Sequence, residues 1–364
     1  MDIRVNENHI KWLDGLRGLA ILLVLLGHFF PIFPLFKIGW VGVNLFFILS
    51  GYLITGRLFV HAEEGGGKFY FRNFYWRRFL RIFPLYYGCL IIFFGLLPLV
   101  YKRYFVHFGQ LYREQWWYWT YLSNWRIVMY GMSDNSILST MWSLAVEEQF
   151  YLVWPFIFLF VVRSNKKIVV VLGALLLAIV ARVLAHQPAL AYFSTLTASE
   201  PLLIGSLLCI LEKEGRLPLS SRLLGALVFP AILLLVFILL QNPDLDLWNE
   251  GLIRWGYTCI DILFSCLLYK LVVVGRYTRL LRSVFSARWI VWMGRYSYGI
   301  YLFNWFVIQM LVIRWNGLLK AMGFGDGASL LVSSVAGIVV LLGCSWLSFR
   351  YFESKFLRLK NFVS

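Results

Sequence analysis

The sequence predicts an all-α polytopic membrane helix bundle of about ten transmembrane helices, with both termini cytoplasmic. Three observations carry that prediction. Of 364 residues, 60% are hydrophobic and only 14% are charged, against about 25% charged in soluble globular domains, which excludes an ordinary water-soluble enzyme. Stretches long enough to span a bilayer, about 20 mostly apolar residues, recur ten times. Finally, the cations gather in alternate loops, as they do when Lys and Arg are left on the cytoplasmic side.

The spans are expected near 12–30, 38–58, 83–100, 146–162, 168–186, 196–211, 223–240, 252–273, 289–312 and 328–349, of which 196–211 is the weakest. With the N-terminus inside, the inner loops and tails hold 24 of the Lys and Arg residues and the outer loops eight. The inner set runs through Arg4, Arg57–Arg81, Arg163, Lys213, Lys270–Arg288 and the tail to Lys360; the outer set includes Lys37, Lys102, Arg126 and Arg182. This bias explains the formal net charge of +16 without nucleic acid as a partner. The first stretch ends in His28-Phe-Phe-Pro with no small-residue cleavage site, so it reads as a retained helix and not a signal peptide. No linker or internal repeat interrupts the chain, and 1–364 is expected to be a single membrane domain with no appended soluble domain. The five cysteines (Cys89, Cys209, Cys259, Cys266, Cys344) sit in apolar segments at no metal-ligand spacing. They read as buried small hydrophobes, and no metal is expected.

Ionisable residues inside hydrocarbon are costly and are functional candidates by default. His28 and Arg17 are 11 residues apart, so on one helix they share a face about 17 Å apart along its axis. Either Arg17 snorkels to lipid phosphate while His28 makes an interhelical hydrogen bond, or both belong to a site. Adjacent carboxylates, Glu147 and Glu148, open the fourth helix at the membrane level expected for His28. A carboxylate near a helix N-terminus is favoured by the dipole alone, but a carboxylate that meets a histidine makes a general-base dyad. Arg77, Arg78 and Arg81 form one cationic helix face, suited either to anionic lipid or to a phosphorylated cytosolic cofactor gripped bidentately. Gly65–Gly67 mark a turn, since no GKS or GKT follows.

Weaker features point elsewhere. Asp244-Leu-Asp246 is a DxD, on the wrong side for cytosolic nucleotide sugars. The aromatics of 112–125 read as an interfacial belt before a sugar-stacking platform. Arg254 and Asp261, seven apart on the eighth helix, are expected to form a buried pair.

Taken together, these motifs resemble the integral-membrane acyltransferase family 3. The matching stretches are Leu13-Asp14-Gly-Leu-Arg17-Gly-Leu-Ala with His28, Gly42-Val-Asn44-Leu-Phe-Phe-Ile-Leu-Ser50-Gly-Tyr, and Arg77-Arg78-Phe-Leu-Arg81-Ile-Phe-Pro. They continue with Trp142-Ser143-Leu-Ala-Val-Glu147-Glu148-Gln-Phe-Tyr, Gly294-Arg-Tyr-Ser-Tyr298-Gly and Arg350-Tyr-Phe-Glu353, in family order over nearly the whole chain. The resemblance implies a membrane O-acyltransferase of the bacterial inner membrane. Its donor would be cytosolic acyl-CoA, usually acetyl-CoA, and its acceptor a carbohydrate or other hydroxyl, including a lipid-linked one. It implies His28 at the reaction and Arg17, Arg78 and Arg81 near the donor, with Arg77 beside them. Asp14, Asn44, Ser50, Trp142, Ser143 and Tyr298 are the substrate-binding candidates, and Asn44, Ser143 and Tyr298 the oxyanion donors to test. Asn44 and Asn304 stand where relatives often carry Asp and His. The competing reading is a proton-coupled transporter or a flippase of lipid-linked glycans, with a buried acid and histidine relaying protons.

Overall fold

Helices long and apolar enough to cross a bilayer number ten among the described residues of the computed structural model. Those residues are 7–63, 68–101, 103–132, 137–162, 164, 166–217, 221–246, 248–274 and 279–359. Arg4, Gly65–Gly67, Lys102, Arg163, Arg276 and Lys360 lie outside them. The helices are α1 Lys11–Phe29, α2 Pro34–Val60, α3 Tyr70–Val100, α4 Met141–Val161 and α5 Lys167–Leu184. They continue as α6 Thr195–Lys213, α7 Arg222–Gln241, α8 Leu252–Leu271, α9 Arg288–Ala321 and α10 Asp326–Arg358. No strand occurs among the described residues, as expected where every backbone polar group must be satisfied within its own segment.

Each expected span has its counterpart, including 196–211. The differences lie at the ends. α3 begins at Tyr70, because Phe71-Arg72-Asn-Phe-Tyr-Trp-Arg77-Arg78 is helical without being apolar. At about 1.5 Å per residue its 31 residues exceed the roughly 30 Å of hydrocarbon, so its arginine-bearing third extends beyond the apolar one. α4 begins at Met141, so Glu147 and Glu148 sit in its second turn and do not open it as the sequence suggested. The described residues of the 101–137 loop form three short helices, Tyr104–Arg113, Trp116–Trp119 and Ser123–Tyr130.

By contacts the chain divides into two compact units. The first comprises Met1–Arg57 and Phe156–Ser297. Within it α6 packs on α5 and α8, and α8 on α7. α7 leaves Leu223, Phe229, Leu233, Phe237 and Leu240 exposed, an apolar surface of the kind that faces lipid. The second unit comprises Leu58–Pro155 and Tyr298–Ser364. In it α3 packs on α10, and α10 on α9. Of the five free cysteines Cys89, Cys209 and Cys259 are buried, but Cys266 is half-buried and Cys344 exposed; an outward face of an apolar helix hosts a small hydrophobe as readily as the core does.

Candidate active site

In the first unit, His28 occupies the last turn of α1 and is half-buried. The backbone around it is set by glycine. A β-carbon on Gly39 would collide with the α-carbon of Gly27 and the Leu23 carbonyl, so α1 and the start of α2 cross backbone against backbone one residue before the histidine. The N-terminal part of α1 is held the same way, since a β-carbon on Gly294 would enter the Asp14 carbonyl. These close approaches give Gly39 and the motif glycine Gly294 a packing role. Arg17 Nη1 lies 3.1 Å from Asp14 Oδ1, with both side chains mostly buried, so two candidate residues pair with each other. Asn44 is buried and donates from Nδ2 to Asp261 Oδ1 at 2.8 Å. Ser50 is half-buried on α2.

Arg254 and Asp261 do not pair. Arg254 instead reaches Glu250 at 3.7 Å and donates to the Val183 carbonyl, while fully buried Asp261 takes Asn44. The reason is a π-helical turn at Leu252–Gly256, which adds a residue to the turn and rotates the helix face, so a spacing of seven no longer returns to one side. Among the described side chains of this unit the buried arginine is Arg182, expected from sequence among the outer-loop cations. Its Nε and Nη2 lie 2.9 and 2.8 Å from Glu200 Oε2, Nη1 donates to the carbonyls of Ile253 and Arg254, and Nη2 donates to Thr258, whose hydroxyl donates to Glu200 Oε1. Asp244 Oδ1 accepts from the Asp246 N–H and from Lys37, so the DxD builds a turn.

In the second unit the Trp142–Tyr151 motif assembles a polar cluster. Trp142 and Ser143 are buried. Ser143 Oγ hydrogen-bonds the Thr140 carbonyl and lies 2.6 Å from the Tyr301 hydroxyl, and Glu147 is within electrostatic reach of Tyr301. Tyr298 donates to the Ile82 carbonyl at 2.7 Å. Glu148 interacts electrostatically with Arg78 and Glu147, and its Oε1 is buried with no hydrogen-bond partner. The Arg78 guanidinium lies over the Tyr151 ring, 4.6 Å from its centroid, while Arg77 is half-buried and Arg81 exposed, within reach of Glu353.

Gln149, which the sequence analysis did not single out, fastens the 101–137 loop to this cluster. Its Nε2 donates to the Tyr121 carbonyl at 2.7 Å and to Asn124 Oδ1 at 2.9 Å, and its Oε1 accepts from Trp125 Nε1. Trp117, Tyr118 and Tyr121 are buried and Tyr112, Trp119 and Trp125 half-buried, so of the aromatics expected to form a belt Trp116 is the one that stays exposed. The one legible signal for Gln149 was its place beside the two acids. Among the described residues no three His, Cys, Asp or Glu side chains gather as metal ligands.

An all-α bundle of apolar spans with buried carboxylates and arginines defines a multi-pass membrane protein. The chain belongs to acyltransferase family 3, whose model, described as an acyltransferase domain, matches residues 10–350. Peptidoglycan O-acetyltransferase OatA of Listeria monocytogenes is 32% identical over 327 residues, which cover 84% of this chain and 50% of that protein. YrhL of Bacillus subtilis is 32% identical over 330 residues, 84% of this chain and 49% of its own. O-acetyltransferase OatA of Staphylococcus aureus is 26% identical over 325 residues, 83% of this chain and 51% of its own. This chain thus spans about half the length of these relatives. No solved structure matches it.

Proposed function

We propose that this protein is a membrane O-acyltransferase that moves an acetyl group from acetyl-CoA, entering from the cytoplasm, to a hydroxyl of a cell-wall or similar glycan on the outer side of the bacterial cytoplasmic membrane. The observation that carries the reading is the family match over residues 10–350 together with relatives named as peptidoglycan O-acetyltransferases. The ten helices act as one acyltransferase domain, and both termini face the cytoplasm.

The donor's phosphates are assigned to Arg17, Arg77, Arg78 and Arg81. Arg81 is exposed and Arg77 half-buried, and guanidinium groups that are still hydrated can grip phosphate bidentately. His28 is assigned as the general base. It takes the proton from the acceptor hydroxyl as that oxygen attacks the thioester carbonyl; the C–S bond breaks, and the CoA thiolate leaves and takes up a proton. Glu147 and Glu148 are assigned to the same reaction as its carboxylates.

Purified full-length protein incubated with radiolabelled acetyl-CoA and an N-acetylglucosamine oligosaccharide tests the reading. The wild type is expected to label the saccharide, and His28→Ala to lose at least about 100-fold of that rate while accumulating normally. Full activity in His28→Ala ends the general-base assignment. An untouched donor in the wild type is the result that a transporter or flippase gives.

A further inference from the structure

We propose that the Tyr121 hydroxyl and the Glu148 carboxyl form the seat for one hydroxyl of the carbohydrate acceptor, Tyr121 donating to its oxygen and Glu148 accepting its proton. The proposal rests on the O-acyl transfer reading above and adds to it the residues that hold the acceptor.

Both groups belong to the second unit, and both are buried without being satisfied. Tyr121 is 7% exposed, and its hydroxyl, like Glu148 Oε1, has no hydrogen-bond partner among the described residues. A buried polar atom left unpaired costs about 1–3 kcal/mol, so two in electrostatic contact with each other call for an explanation. Neighbouring tyrosines do not share the feature. Tyr86 donates to the Tyr118 carbonyl, Tyr87 to the Trp119 carbonyl and Tyr298 to the Ile82 carbonyl. Within this ring of tyrosines around Glu148, Tyr121 is the one whose proton is uncommitted. Of the oxyanion candidates taken from sequence, Tyr298 and Asn44 have committed donors, and Ser143 lies between Thr140 and Tyr301.

The position of Tyr121 is also imposed from outside. Its φ of 55° lies in the left-handed region, which an aromatic residue enters at a cost of about 1–2 kcal/mol. Gln149 clamps its carbonyl, and its ring stacks on Tyr86 with centroids 4.1 Å apart. Burial pushes the hydroxyl far above the ordinary tyrosine value, with the Tyr298 and Glu148 charges adding to the effect, so it stays a neutral donor at any working pH.

The chemistry of the pair selects its ligand. One donor beside one acceptor complements a hydroxyl, which is both acceptor and donor. A phosphate would meet the Glu148 carboxylate, an ammonium would leave the Tyr121 proton unused, and a thioester carbonyl would leave the carboxylate unused.

The test uses full-length protein in nanodiscs and an N-acetylglucosamine tetrasaccharide as the probe, with binding followed by tryptophan fluorescence and transfer by radiolabelled acetyl-CoA. Tyr121→Phe keeps the ring and its stack. It is expected to raise both the saccharide Kd and the saccharide KM about tenfold and to leave the KM for acetyl-CoA and the thermal midpoint unchanged. Glu148→Gln, read by saccharide binding alone, is the second variant and is expected to weaken binding at least as much. A wild type that does not bind the saccharide overturns the proposal, as do variants that bind it as tightly as wild type. If the wild type binds the saccharide Tyr121-dependently but leaves acetyl-CoA intact, the acyl-transfer reading falls and the assignment of the seat stands.

Discussion

Arg182 in the first unit and Arg78 in the second both lie against a glutamate and an aromatic ring, yet their surroundings differ in kind. Arg182 uses its donors on Glu200, Thr258 and two backbone carbonyls, and Glu200 is matched oxygen for oxygen. Arg78 lies over the Tyr151 ring, beside a Glu148 with one oxygen unpaired. A closed network ties α5, α6 and α8 together and has no valence left for a ligand. An open one gives up stability and keeps hydrogen-bonding capacity for something that arrives. The difference teaches that buried charge marks chemistry only where the local hydrogen bonds fail to close.

Breaking the closed network gives the largest expected effect on folding. Arg182→Met leaves Glu200 buried and uncompensated and should cost about 3–5 kcal/mol, seen as a collapse of the thermal midpoint in detergent. The double variant Arg182→Met with Glu200→Leu should recover most of the loss, and a double variant as unstable as the single one would break the comparison. The open cluster should respond in the opposite sense. Glu148→Gln is expected to lower acetyl transfer about 100-fold with a thermal midpoint equal to or above that of wild type, because it removes a buried carboxyl group one of whose oxygens has no hydrogen-bond partner. A large fall in its stability would place Glu148 with Glu200. The smallest effect is reserved for Lys37→Ala. The Lys37–Asp244 pair is 3.4 Å long and about half-exposed on both sides, so its loss should change stability by less than about 1 kcal/mol.

Much of the fold was legible because apolar length is a local quantity. Ten stretches read from hydropathy correspond to ten helices, even where the window was marginal, as at Thr195–Lys213. The misreadings fell where helix and hydropathy part company. The Tyr70–Ile82 stretch is helical while carrying four arginines, and the π turn at Leu252–Gly256 shifted the face on which Asp261 lies. The site was legible as motifs and not as contacts. Asp14 and Arg17 share one turn and pair as neighbours, but Asn44 meets Asp261 across 217 positions. Gln149 meets Tyr121 across 28, and no local pattern announces a tyrosine in the left-handed region.

By itself, the order of amino acids determined that this protein lives in a bilayer, that it is helical throughout its spans, and that it belongs with enzymes named for acyl transfer. Those properties follow from sums along the chain and from motifs whose residues are contiguous. Tertiary structure alone decided which buried polar atoms are satisfied and which are left open. A hydrogen bond depends on a few tenths of an ångström between groups far apart in sequence, and on that scale Arg182 is closed while Tyr121 and Glu148 remain available.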